Sequence, residues 1–158
     1  MLALGVSGGT SLGSYSKRGL FSTGGFVDQS LFDVYTSVIR RSAFVLRGYA
    51  PGQFVGTAYH LLNLEYRFPL LYADRGISTL PIFLRTVSGV TFFDFGGAYN
   101  QLDPHHPFDV LHASIGGELW FDLVTSYRVQ TNLRLGLARG LSDAAHGIQS
   151  YLVLASGF

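Results

Sequence analysis

Hydrophobic and polar residues alternate along several long segments of this chain. In the clearest segment, residues 126–140, one face is mainly apolar and the other is polar or small. The first face carries Tyr127, Val129, Thr131, Leu133, Leu135 and Leu137, and the second carries Ser126, Arg128, Gln130, Asn132, Arg134 and Gly136. A repeat of two residues predicts an extended strand. At about 3.3 Å per residue and a tilt of about 40°, this strand is long enough to cross the roughly 25 Å apolar band of an outer-membrane barrel.

Four other segments repeat the alternation, and Met1 to Gly13 adds a sixth predicted strand. After Thr57, the two faces carry His60, Leu62, Leu64, Tyr66 and Phe68 against Asn63, Glu65 and Arg67, up to Pro69. In residues 108–122 they carry Leu111, Ala113, Ile115, Leu119, Phe121 and Leu123 against His112, Ser114, Glu118 and Asp122, with Trp120 on the polar side. In residues 82–99 we expect Thr91, Phe93, Phe95 and Tyr99 to face lipid, and Asp94, Gly96 and Ala98 to face inward. The last strand places Ile148, Leu152, Leu154 and Phe158 on one face.

Alternation alone also suits a soluble antiparallel sandwich. Two observations favour a membrane barrel. Several of the predicted strands exceed ten residues, whereas soluble strands average five or six, and their polar faces carry Arg, Glu, Asn and Gln, as a hydrated lumen would. The sequence therefore predicts an all-β fold, the C-terminal portion of an antiparallel transmembrane β-barrel with about six strands.

The connections between the predicted strands differ in length. Leu123 to Ser126 is a tight turn, whereas Asn100 to Pro107 is longer. Residues 14–56 form one long loop that is predicted to fold into the lumen, and residues 57–158 form a meander of about five strands. Six strands are fewer than the eight of the smallest membrane barrels, so we expect remaining barrel strands to complete the cylinder.

Composition narrows the class of protein. Of the 158 residues, 47% are hydrophobic and only 13% are charged, yet no run of about 18 apolar residues predicts a membrane-spanning helix. The formal charge of +1 is scattered along the chain, which argues against a nucleic-acid partner. The absence of Cys excludes disulfides and thiolate metal sites. The amino terminus lacks the pattern of a signal peptide, which predicts that this chain is a segment of a longer one.

Three spaced motifs and the chain end carry a family resemblance. Residues 46–49 spell LRGY, residues 63–69 spell NLEYRFP, residues 92–96 spell FFDFG, and the chain ends at Phe158. This order resembles the bacterial surface antigen family of outer-membrane assembly and translocation barrels, from about Gly24 to the last residue. A terminal aromatic strand resembles the export signal of such barrels. The segment Asp28 to Phe44 has no match in the family pattern, and the resemblance does not extend to the family's upstream domains.

The resemblance implies a site at the tip of the long loop. In the family, the Arg of the Leu-Arg-Gly-Tyr loop meets inward acids on neighbouring strands, and the matching positions are Arg47, Glu65 and Asp94. The strand phasing also points Glu65 and Asp94 inward. A guanidinium between two carboxylates can form forked hydrogen bonds that pin a loop. Gly48 lets the backbone turn closely behind the arginine, and Tyr49 completes the motif.

Other signals are weaker. Gly5 to Gly9 matches the Gly-x-Ser-x-Gly form of a hydrolase elbow around Ser7, but no helical repeat follows it, which favours a Gly-rich strand or turn. His105 and His106 lie in a Pro-flanked segment, which favours a solvated loop over a metal site. His60 and His112 are about fifty residues apart with nothing to link them. We therefore predict no enzyme, no catalytic residue, no cofactor and no metal.

The resemblance implies that the whole protein inserts or translocates polypeptides at the bacterial outer membrane. The predicted partners are outer-membrane lipid, polypeptide substrates, the remaining barrel strands and upstream periplasmic domains. Two alternatives stay open at this point. The barrel could anchor or export an upstream enzymatic domain, or several copies could form a small oligomeric pore.

Overall fold

The computed structural model describes residues 1–13, 19–26, 45–76, 80–100, 110–126, 128–145 and 147–157, with side chains up to Leu154. Every regular element in these ranges is a strand. The strands are β1 (Leu2–Thr10), β2 (Phe21–Thr23), β3 (Phe54–Gly56), β4 (Ala58–Gly76), β5 (Ile82–Tyr99), β6 (His112–Thr125), β7 (Val129–Gly140) and β8 (Ile148–Gly157). Across these ranges no helix has the length and apolar character needed to cross a membrane.

Six of the strands form one antiparallel sheet in the order β1-β4-β5-β6-β7-β8. Strands β4 to β8 are consecutive hairpin neighbours, and β1 pairs with β4 along its whole length. Strands β2 and β3 form a separate two-stranded sheet within residues 14–56, the range predicted as one loop. The prediction of an all-β antiparallel fold is confirmed. The described strands do not close into a barrel, and β1 and β8 are the edges of the sheet.

The strand register keeps like side chains on the same side of the sheet. Partners in adjacent strands share a face, so Glu65 lies beside Phe92, and Glu118 lies beside Val90 and Gly136. We call this side the polar face, and it carries Asn63, Glu65, Arg67, Asp94, Ser114, Glu118, Trp120, Asp122, Asn132, Arg134 and Tyr151. The opposite side is the apolar face, and its exposed members include Leu2, Leu4, Val6, Leu64, Tyr66, Ile115, Leu119, Leu135, Leu137, Ile148 and Leu152.

Some strand boundaries and exposures differ from the predictions. β6 ends at Thr125 and β7 begins at Val129, so residues 126–128 connect them rather than the predicted 123–126, and Ser126 itself has a positive φ of 50°. Tyr99 lies in the register of the apolar face but is only 7% exposed, because its ring stacks on His60 with centroids 5.7 Å apart. Several residues used in the predictions lie outside the described ranges, among them His105, His106, Phe108, Tyr127 and Phe158.

The small hydrophobic core lies where residues 45–56 dock against the polar face. Leu46, Tyr49 and Leu61 are buried there, and Phe54, Ala144 and Ala145 pack around them. Because these residues come from the predicted loop, β4 and the β7–β8 connection, their burial fixes the loop tip against the sheet. The core therefore positions the candidate site rather than filling the centre of a sandwich.

Candidate functional site

The chain reaches the polar face through a tight bend at residues 45–49. Leu46 N donates to Gly24 O at 2.7 Å, which ties this bend to the strand-like segment after β2. Gly48 has φ +85°, and a Cβ built on it would lie 2.7 Å from Gly140 N and 2.8 Å from Arg139 C. Only glycine satisfies both the backbone angle and this close approach without strain. The bend therefore presses against β7 and points Arg47 along the sheet.

Arg47 bonds to three carboxylates from three adjacent strands. Its Nε donates to Asp94 Oδ2 at 2.7 Å and its Nη2 donates to Asp94 Oδ1 at 2.6 Å. Its Nη1 donates to Glu65 Oε1 at 3.0 Å and to Glu118 Oε1 at 2.9 Å. The acids belong to β4, β5 and β6, so one guanidinium joins the loop to the middle of the sheet.

Each of the three acids is also held by another side chain. Asn63 Nδ2 donates to Asp94 Oδ1 at 2.8 Å. Arg67 donates to Glu65 Oε2 through Nη2 at 2.6 Å and Nε at 3.1 Å. Glu118 accepts from the Tyr151 hydroxyl at 2.6 Å and from the indole N–H of Trp120. These additional hydrogen bonds hold the carboxylates in place independently of Arg47, which lowers the entropic cost of ordering the site.

Aromatic rings support the guanidinium groups. The Arg47 Cζ lies 3.6 Å from the centroid of the Phe92 ring. Gly116 leaves room for that ring, because a Cβ built there would lie 2.4 Å from Phe92 Cζ. The Trp120 ring contacts two further guanidiniums, with Arg67 Cζ at 4.3 Å and Arg134 Cζ at 4.1 Å. Such contacts favour the charged form of arginine where water is scarce.

The cluster is buried but balanced in charge. Arg47 is 6% exposed, Glu118 5% and Asp94 fully buried. Burial disfavours the charge of Arg47, but its hydrogen bonds and the charges of Asp94 and Glu118 outweigh this and raise the pKa of Arg47 above its ordinary value. The polar face places Arg67 and Arg134 beside Arg47, so three cations accompany the three acids. Arg47 therefore stays cationic and acts as a fixed cross-link.

Tyr49 and Gln53 anchor the loop at the end of the sheet. The Tyr49 hydroxyl donates to Ala113 O at 2.6 Å and lies 3.0 Å from Ser142 Oγ. Gln53 Nε2 donates to Ala144 O at 2.8 Å. The loop tip thus contacts the start of β6 and the β7–β8 connection in addition to the three acids. A cavity of about 270 Å³ opens beside this tip, lined in part by Arg47, Glu65 and Arg134.

The structure brings together all five residues predicted to anchor the loop. Arg47, Gly48 and Tyr49 form the docked tip, and Glu65 and Asp94 bond to Arg47. Sequence reasoning missed the third acid in this cluster. The alternation puts Glu118 on the polar side of its strand, and this position is the signal that could have identified it.

The other candidate motifs of the sequence are not part of the Arg47 cluster. Gly5 to Gly9 lies inside β1, so Ser7 sits on a strand with no helix after it in the described residues. His105, His106 and Phe158 lie outside the described ranges. Within those ranges no group of three or more His, Cys, Asp or Glu side chains could hold a metal ion. The candidate site is therefore the Arg47 cluster.

The fold and the site define a class: an open, all-β antiparallel sheet with one polar and one apolar face, and a loop pinned to the polar face by a buried arginine. Comparisons with family models, curated proteins and solved structures gave no significant match.

Proposed function

We propose that this chain is part of an outer-membrane β-barrel that inserts proteins into the bacterial outer membrane or translocates them across it. The observation that carries the proposal is Arg47, held on the polar face by Glu65, Asp94 and Glu118. This arrangement matches what the motif resemblance implies for two of the acids and extends it to a third.

The apolar face supports a location in lipid. Many large apolar side chains on it are more than one third exposed, among them Leu4 at 65%, Val6 at 73% and Leu152 at 64%. An exposed apolar surface of this extent is rare on a soluble monomer. In an outer membrane this face contacts hydrocarbon, and the polar face lines the lumen.

The two edges of the sheet support a larger assembly. Among the described strands, β1 pairs only with β4, and β8 pairs only with β7. Unpaired backbone groups are costly in hydrocarbon, so further strands must complete the cylinder. In the main proposal these are the remaining strands of the same barrel.

In this proposal the docked loop is the element that controls passage through the lumen. The tip closes over one end of the polar face and is cross-linked to three strands, so a polypeptide that enters the lumen must pass beside Arg47 or displace the loop. Loosening the cross-link would change the shape of the lumen and the spacing of the strands. This is a mechanical role and requires no covalent chemistry.

The free edges also favour a second candidate, a small pore closed by pairing several copies of this chain. Antiparallel pairing of β8 of one copy with β1 of the next would remove both edges and keep all copies in the same orientation. Native mass measurement of the detergent-solubilised protein separates the two candidates. A symmetric oligomer of the short chain supports the pore, and a monomer of a longer chain supports the main proposal.

The main proposal is tested by depleting the protein from its bacterial host. The readout is the rate at which newly made outer-membrane barrel proteins become folded, seen as heat-dependent mobility on gels. We expect depletion to slow this folding and wild-type protein to restore it. Arg47→Ala should restore it poorly, whereas Arg128→Ala, in the exposed β6–β7 turn, should restore it fully. Normal folding of other barrels after depletion would reject the proposed activity, and recovery of the protein in the soluble fraction would reject the membrane location.

A further inference from the structure

One charged residue interrupts the apolar face of β7. The side chains of β7 that point to this face are Val129, Thr131, Leu133, Leu135, Leu137 and Arg139. Arg139 is the last of them, at the end of the strand next to the β7–β8 connection. It lies opposite the polar-face arginines and makes no contact with their acids.

The surroundings of Arg139 are exposed hydrocarbon. It pairs across the sheet with Ile115 on β6 and Ile148 on β8, which are 51% and 68% exposed. Leu137, the preceding residue on this face, is 58% exposed. Arg139 is itself exposed and has no ion-pair partner in the part of the chain that the structure describes. An exposed guanidinium bordered by apolar side chains is available to an anion from outside the protein.

The position of Arg139 along the strand matches the level of lipid headgroups. The β6–β7 turn at the other end of β7 holds Arg128, eleven residues from Arg139 (139 minus 128), and no charged residue lies on the apolar face of β7 between them. Eleven residues span about 36 Å along a strand, or roughly 28 Å across a membrane at a tilt of about 40°. This height slightly exceeds the apolar band of about 25 Å, so Arg139 and Arg128 lie at opposite rims of the band.

The lengths of the connections indicate which rim is which. Residues 141–147 and 100–111 connect strands at the Arg139 end, and residues 77–81 and 126–128 connect them at the other end. Outer-membrane barrels have short periplasmic turns and longer extracellular loops. Arg139 therefore faces the outer leaflet.

We infer that Arg139 binds the phosphate of a lipid headgroup in the outer leaflet, an inference that rests on the proposed membrane location. The planar guanidinium matches two phosphate oxygens, and Ile115, Ile148 and Leu137 contact the acyl chains below. Gly48 packs on the backbone of Arg139 from the polar face. The bound lipid and the docked loop therefore share the same residues of β7, one on each side of the sheet.

The test compares lipid binding by the detergent-solubilised protein and its variants. Wild type, Arg139→Gln, Arg139→Lys and the turn variant Arg128→Gln are titrated with lipid A that carries both phosphates, and with the same lipid after its phosphates are removed. Bound lipid is counted by native mass spectrometry. We expect Arg139→Gln to bind the phosphorylated lipid about fivefold more weakly, the effect of one arginine near a charged membrane surface. Arg139→Lys should lose less affinity than Arg139→Gln, because it keeps the charge but not the two-pronged geometry, and Arg128→Gln should bind nearly as wild type does.

Each outcome decides the inference. Wild-type affinity in Arg139→Gln overturns it, and so does an equal loss in Arg128→Gln, which would show nonspecific attraction. Loss in Arg139→Lys as large as in Arg139→Gln would also count against it. A protein that binds neither lipid rejects the inference, and recovery of the protein in the soluble fraction would reject the membrane location with it. If depletion leaves barrel assembly unchanged while the phosphate-dependent binding persists, the proposed activity fails and the lipid site stands.

Discussion

Arg47 and Asp94 form a two-pronged ion pair, with Nε donating to Oδ2 at 2.7 Å and Nη2 donating to Oδ1 at 2.6 Å. The two residues are 47 positions apart in sequence, and Asp94 is fully buried in β5. Neighbouring strands β4 to β8 are held by local hairpins, whereas this pair attaches a distant loop to the sheet. The attachment is directional, because both prongs must align at once.

Asp94→Asn should strongly destabilise the docked loop. The substitution removes one buried charge, keeps the side-chain size and leaves Arg47 short of a partner in a buried site. Breaking a buried pair in this way costs about 3 to 5 kcal/mol. The free energy of unfolding in detergent, from urea titration, measures the loss. Asp122→Asn is the matched control, since Asp122 lies on the same face but bonds to Asn132 instead. Equal stability of the two variants would contradict a central role for the ion pair.

Glu118 should be coupled to Arg47 in a double-mutant cycle. Arg47→Met removes the donor of the 2.9 Å bond between Nη1 and Oε1, and Glu118→Gln removes the negative charge of its acceptor. The double variant should therefore lose less stability than the sum of the single variants, by about 1 to 3 kcal/mol. The same cycle with Arg47→Met and Asp122→Asn should give a coupling below about 0.5 kcal/mol, since these residues share no bond. Similar couplings in both cycles would mean that Glu118 acts on Arg47 only through general charge.

Much of the sheet could be predicted from the sequence because each long strand has one apolar face. Alternation identified the strands that became β4 to β8 and placed Glu65, Asp94 and Glu118 on the polar side. The family pattern supplied the connection from Arg47 to two of those acids. It did not supply Glu118, because the meeting of Arg47 with β6 depends on the register of three strands, which alternation alone does not fix.

Local features at strand ends were harder to predict. Strands β2 and β3 have only three residues each, too few for a repeat of two to stand out. The β6–β7 connection begins at Ser126, whose positive φ is unusual for a residue that is not glycine and is not indicated by the alternation. Tyr99 was predicted to face lipid from its phase, but its contact with His60 covers the ring. Each of these depends on tertiary contacts rather than on pattern.

Gly48→Ala should release the loop tip. A Cβ at this position would meet the backbone of Arg139 and Gly140 at less than 3 Å, and the residue has φ +85°. Gly147→Ala is a close control, because Gly147 has φ +89° and nothing lies within 4 Å of its Cβ position. The free energy of unfolding of Gly147→Ala should fall only by the strain of the backbone angle, about 1 to 2 kcal/mol.

Limited proteolysis of residues 45–56 measures whether the tip is docked. We expect cleavage in Gly48→Ala at protease concentrations that leave wild type and Gly147→Ala intact. Cleavage at the same rate in both variants would attribute the effect to backbone strain alone. Resistance in Gly48→Ala would mean that the loop does not depend on close approach to β7.

Leu135→Arg and Leu141→Arg test whether the apolar face contacts lipid. Leu135 lies in the middle of β7 and is 40% exposed, and Leu141 follows the strand near the Arg139 rim and is 57% exposed. In a bilayer, arginine costs about 2 to 4 kcal/mol at mid-depth and about 0 to 1 kcal/mol near the interface. In water, both substitutions would change stability by only about 0.5 kcal/mol, because both side chains are already exposed. Unfolding free energies in lipid vesicles should therefore fall steeply for Leu135→Arg and little for Leu141→Arg. Equal, small effects at the two depths would place this face in water and remove the physical basis for a membrane barrel.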